Sequence, residues 1–86
     1  MRAPKDVDLK CWQPYYGMSE RGEKPFELRV NDRDYQVGDI LHLQEFDPLS
    51  QSYTGKVLHR RVLSVVEHST LTPGAVCMGL AEIPPE

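Results

Sequence analysis

The segment Gly22-Glu23-Lys24-Pro25-Phe26-Glu27-Leu28-Arg29 carries the densest potential chemistry in the chain. Glu27 and Arg29 stand at i and i+2, a spacing that puts both side chains on one face of an extended strand. A guanidinium on such a face can grip a phosphate bidentately, and the ammonium of Lys24 adds a compact second charge. The trio therefore suits an anionic, planar ligand. The same spacing also fits a plain ion pair on a sheet surface, worth under about 1 kcal/mol when exposed.

Other residue types extend or limit this chemistry. Trp12, Tyr15, Tyr16 and Tyr53 are the rings on which a nucleobase could stack. A small domain needs large side chains for packing, so Trp12 and Tyr16 are expected in the core and Tyr15 and Tyr53 at the cleft. His42, His59 and His68 are dispersed with no ligand-spaced pair. Neither Cys11 nor Cys77 has a Cys or His at zinc spacing, so no metal and no cofactor are expected. The cysteines read as buried thiols; a disulfide between them is the alternative, and it turns on their Cα separation. The basic residues gather at His59-Arg60-Arg61 and, more loosely, at Lys24, Arg29 and Arg33. A net charge of −3 excludes a global pull toward polyanions but leaves room for a local site.

The elements that must position these groups read mostly as strands. Val7 to Trp12 alternates apolar and polar residues. Pro14 opens a helix-compatible segment that Gly22 would end in a left-handed cap. Phe26, Leu28 and Val30 alternate with Glu27, Arg29 and Asn31, which predicts an apolar face in the core and a charged face outside it. Turn residues at Asn31 to Asp34 and Val37 to Asp39 precede a strand from Ile40 to Phe46. Tyr53 to Gly55 reopens extended structure, and Val57 to Glu67 is the longest strand candidate, with a bulge or sheet edge expected at Arg60 and Arg61. After a loop from His68 to Gly74, Ala75 to Ile83 forms the last strand. The pattern predicts an α+β fold, a small mostly antiparallel β-barrel of five to six strands with one or two short helices.

At 86 residues with 40% hydrophobic and 27% charged side chains, the chain has room for one modest core. Residues 7–83 read as a single domain, 1–6 as a flexible lead and 84–86 as a tail. With no apolar run of about 18 residues and no apolar signal core, a cytoplasmic protein without membrane association is expected.

Gly22, Lys24, Glu27 and Arg29 resemble the Gly-x-Lys-x-x-Glu-x-Arg signature of ASCH domains, which are similar in fold to PUA domains. Leu9-Lys10, Pro14-x-Tyr16, Phe26, Asn31-Asp32-Arg33, Val37-Gly38-Asp39, Glu45 and Tyr53-Thr54-Gly55 are similar to the pattern of DUF3850. That is a bacterial and phage family of unknown function within the superfamily, and the likeness runs over roughly residues 7 to 83. Val7 stands where members often carry a histidine. The resemblance implies a PUA-like barrel whose charged cleft holds RNA, a nucleotide or a modified nucleoside. Lys24, Glu27, Arg29, Lys10, Arg33, Tyr15 and Tyr53 form the candidate binding set. Some relatives are hydrolases. The ASCH amidohydrolases that act on N4-acetylcytidine use a Lys followed three residues later by Thr, together with a distant Glu. Here Glu27 follows Lys24 at that spacing. The alternative is therefore an amidohydrolase with Lys24 as base or nucleophile and Glu27 or Glu45 as acid, or a ribonuclease drawing on Lys24, Tyr53 and Arg29. A third possibility is an accessory protein that engages a protein partner through a strand edge or an Arg60-Arg61 patch, as a monomer or small homo-oligomer.

Overall fold

Residues 2–67 and 73–83 are described by a computed structural model. The chain runs β1 (Asp6–Trp12), α1 (Gln13–Glu20), β2 (Phe26–Val30), β3 (Ile40–Asp47), β4 (Ser52–Glu67) and β5 (Ala75–Glu82). The loop read from His68 to Gly74 lies outside the described residues as far as residue 72, as does the tail at 84–86.

The strands form one sheet in the order β1-β3-β4-β5-β2. The β1–β3 joint is parallel and the other three are antiparallel, so the sheet is mixed and curls into a half-barrel. Five strands, mostly antiparallel, and one short helix are as expected; the parallel joint and a half-barrel in place of a barrel are the differences. The chain leaves β1 through α1, builds the opposite edge as β2 and only then returns to lay β3 beside β1, which fixes their parallel sense. β1 and β2 are the two sheet edges and face each other across a seam. Tyr53 to Gly55 and Val57 to Glu67 are one long strand, and its register shifts fall between Tyr53 and Val57 against β3 and between Val62 and Ser64 against β5 rather than at Arg60 and Arg61.

The core lies on the concave face. It takes Val7, Leu9 and Cys11 from β1, Leu41 and Leu43 from β3, Val62 from β4, and Val76, Met78 and Leu80 from β5. Helix α1 covers it with Tyr16, which is fully buried as expected. Pro14 sits in the helix's first turn, and Gly22 ends it with φ +78°. There the Glu23 N–H donates to Met18 O at 2.9 Å, the capping chemistry that glycine permits. Arg60 is not part of an open basic patch. Its side chain is nearly buried and donates to Ser19 O at 3.2 Å, placing a cation at the negative end of the helix.

β2 reverses its predicted orientation. Phe26, Leu28 and Val30 are 42%, 57% and 62% exposed, whereas Glu27 is 3% exposed. Register gives the reason. Glu27 lies opposite Met78 and Arg29 opposite Val76, and directly opposed residues share a face. Met78 and Val76 are core residues, so the charged side of β2 is the side that turns inward.

The lead-in is fastened. Arg2 forks onto Asp39, with Nη1 to Oδ1 at 2.8 Å and Nη2 to Oδ2 at 2.7 Å. The same carboxylate accepts the backbone N–H of Lys5 and of Gln36 at 3.1 and 2.9 Å. The segment read as flexible therefore has side-chain anchorage at Arg2, and Asp6 already belongs to β1.

Candidate functional site

The inward turn of β2 assembles the trio read from the sequence. Glu27 Oε1 accepts from Lys24 Nζ at 2.7 Å, and Oε2 accepts from Arg29 Nε at 2.8 Å. Burying a lone carboxylate is costly, and the two flanking cations offset that cost. Both basic groups also reach across to backbone. Lys24 Nζ donates to Phe26 O at 3.1 Å, and Arg29 Nη2 donates to Lys10 O on β1 at 2.7 Å. Arg29 is thus a tie across the seam.

Donor counting shows what remains free among the described residues. A guanidinium has five N–H donors and an ammonium three. Two of Arg29's are used, leaving three, and two of Lys24's are used, leaving one. Each Glu27 oxygen accepts from one of these cations. The trio holds its carboxylate closed and presents its cations outward, which is the arrangement of an anion clamp.

These donors border a cavity of about 470 Å³ lined by Trp12, Tyr15, Phe26, Lys10, Lys24 and Arg29, with Cys11 in its wall. Lys24 Nζ stands 5.3 Å from the Phe26 ring centroid. Burial, with Glu27 adding to it, pushes the Cys11 thiol up to about 11, so at neutral pH Cys11 is an uncharged wall group and not a thiolate nucleophile. Cys11 and Cys77 are both free thiols. One lies on the concave face of β1, the other on β5 opposite the outward-facing Leu28.

The predicted site residues separate into those brought together and those left apart. Lys10, Tyr15, Lys24, Glu27 and Arg29 share this cavity. Arg33 borders an adjoining cavity of about 430 Å³, together with Lys10, Leu28 and Arg29. Tyr53 is elsewhere. It lies opposite Phe46 and packs edge-on against it, with centroids 5.2 Å apart. Glu45, offered as an acid partner, is buried and accepts from Thr54 Oγ1 at 2.6 Å, and it is not part of the cavity lining. Trp12, expected in the core, is 50% exposed and lines the cavity because it closes β1 on the even-numbered, outward side of the pleat. Phe26 was missed for the matching reason, since its apolar character suggested the core.

His42 and His59 are not dispersed. They are cross-strand partners in β3 and β4, with Nδ1 atoms 2.7 Å apart and His42 Nε2 2.9 Å from Asp6 Oδ1. Their 17-residue separation hid a pairing that only register could reveal. Among the described residues, no group of three or more His, Cys, Asp or Glu side chains is arranged to hold a metal ion, and no helix is long and apolar enough to cross a membrane. His68 lies outside the described residues.

The family model described as a domain of unknown function, DUF3850, matches residues 7–80. The match covers most of the 86 residues, and the chain belongs to that family.

Proposed function

We propose that this DUF3850 member is a binding module of ASCH/PUA-like type that holds a nucleotide unit, free or within RNA, in the cavity around Lys24, Glu27 and Arg29. The observation that carries the proposal is the pairing of three aromatic rings with unspent cationic donors around one opening. Trp12, Tyr15 and Phe26 offer π faces to a base. The three free N–H groups of Arg29 and the one of Lys24 offer a fork and a point charge to a phosphate. Local placement of these cations reconciles anion binding with an acidic chain of net charge −3.

The same geometry favours a clamp over a hydrolase. Glu27 is 3% exposed and has a cation bonded to each oxygen, which suits it to holding Lys24 and Arg29 in place rather than to taking a proton from a substrate. Lys24 is engaged as a donor to two acceptors and serves as a cation. The test is titration of the four ribonucleoside 5′-monophosphates, followed through Trp12, the chain's one tryptophan. Binding is expected to quench or shift its emission. Arg29→Ala is expected to weaken that binding by about 10- to 100-fold, the scale of charge-assisted hydrogen bonds. A wild-type protein that binds none of the four at low salt, by fluorescence or calorimetry, excludes the proposal.

A further inference from the structure

The cavity at the trio does not end there. It shares Lys10, Leu28 and Arg29 with the second cavity, so the two are lobes of one groove along the β1–β2 seam, crossed by the tie from Arg29 to Lys10 O. The outward side chains of both edges form its walls in matched order. Trp12 and Phe26 flank the first lobe, Lys10 and Leu28 stand at the middle, and Asp8 and Val30 flank the second. Alternate residues of a strand are about 6.7 Å apart, so the groove has three rungs at that spacing.

Backbone geometry says what the edges can accept. Lys5 O bonds to β3 and Pro25 O to β5. By strand alternation the backbone groups of Asp8, Lys10 and Trp12 on β1, and of Phe26, Leu28 and Val30 on β2, point into the seam. Two of those carbonyls, Lys10 O and Phe26 O, are already taken by Arg29 and Lys24. An added peptide strand would need those carbonyls as acceptors. The seam offers cations there instead, which suits a polyanion.

Resting on the nucleotide-unit proposal, we infer that the groove takes a single-stranded RNA segment two nucleotides long. One base sits in the aromatic lobe and the linking phosphate lies at Arg29 and Lys10. The second nucleotide occupies the polar lobe between Asp8, Asp32 and Arg33. The rung spacing is about twice the 3.4 Å rise of stacked bases, so a strand laid along it is splayed, as single-strand readers require. The Arg33 guanidinium donates no hydrogen bond among the described residues and is available to the second nucleotide's phosphate. The carboxylates of Asp8 and Asp32 repel phosphate but accept from hydroxyls, which places a ribose between them and makes the 2′-OH a point of selection.

The experiment follows Trp12 emission with the tightest-binding mononucleotide, its 5′-phosphorylated dinucleotide and tetranucleotide, the deoxy dinucleotide, and a blunt RNA duplex. The dinucleotide is expected to bind at least about tenfold tighter than the mononucleotide and the tetranucleotide to add little. The deoxy form is expected to be several-fold weaker, and the duplex not to bind. Arg33→Ala, in an exposed loop position, is expected to return the dinucleotide to mononucleotide affinity while leaving the mononucleotide unchanged. Equal affinity for the two lengths, or no effect of Arg33→Ala on the dinucleotide, overturns the two-unit groove while the mononucleotide site stands. Absence of all nucleotide binding removes both proposals.

Discussion

Two buried carboxylates organise opposite parts of this domain, and their difference separates a structural clasp from a binding site. Asp39 is fully buried and accepts four hydrogen bonds, two from the Arg2 fork and one each from the Lys5 and Gln36 backbone. Arg2's other donors go to Asp34 and to Ala3 O, so that network is spent internally. Glu27 is as deeply buried and also flanked by cations, yet its cations keep donors in reserve at the mouth of a cavity. Burial and charge pairing alone do not mark a functional site. The unspent hydrogen-bonding capacity beside them does.

Breaking each carboxylate should expose the contrast. Asp39→Ala strands two backbone N–H donors and cuts the lead-in loose, and is expected to lower unfolding free energy by roughly 3 kcal/mol. Denaturant titration measures this, and nucleotide affinity of the folded fraction should be unchanged. Glu27→Ala leaves two cations that border an open cavity and can turn to solvent, so its stability cost is expected to stay below that of Asp39→Ala. Its nucleotide affinity should nevertheless fall by about tenfold or more as Lys24 and Arg29 lose the carboxylate that aims them. Equal stability losses in the two variants would erase the distinction.

Acid provides a milder probe. The Arg2 fork, helped by the Gln36 and Lys5 backbone donors, holds Asp39 well below the usual carboxylate range. A depressed folded-state value means that Asp39 contributes stability in full above its unfolded value near 3.9, and that the contribution is lost as pH falls below it. The Arg2→Ala variant should therefore unfold at a higher pH than wild type, monitored by circular dichroism between about pH 5 and 2. Coincident acid transitions would show that the clasp carries no linkage.

How much of this was legible beforehand depended on range. Local chemistry was readable: the Gly22 cap, the Pro14 helix start and the i, i+2 pairing of Glu27 with Arg29 all follow from neighbouring residues. What register decides was not. Nothing near His42 announces His59, and nothing near Tyr53 announces Phe46 as its neighbour. The parallel β1–β3 joint also depends on where the chain returns after β2. Trp12 and Phe26 were hidden by a sound prior, that large apolar side chains are buried, which fails at a groove between two sheet edges.

The inverted strand supplies the smallest and most discriminating test. Alternation in Phe26-Glu27-Leu28-Arg29-Val30 tells which residues share a face, but only the pairing with β5 tells which face is inside. Since Leu28 stands outward at the groove lip, Leu28→Ser is expected to change stability by no more than about 0.5 kcal/mol. Leu43, fully buried in β3, provides the reference: Leu43→Ser is expected to cost roughly 3 kcal/mol or more, through lost burial and an unpaired hydroxyl. A Leu28→Ser cost near that of Leu43→Ser would mean that the apolar face of β2 is packed after all. Glu27 and Arg29 would then face solvent, and the seam would have no groove to offer a ligand.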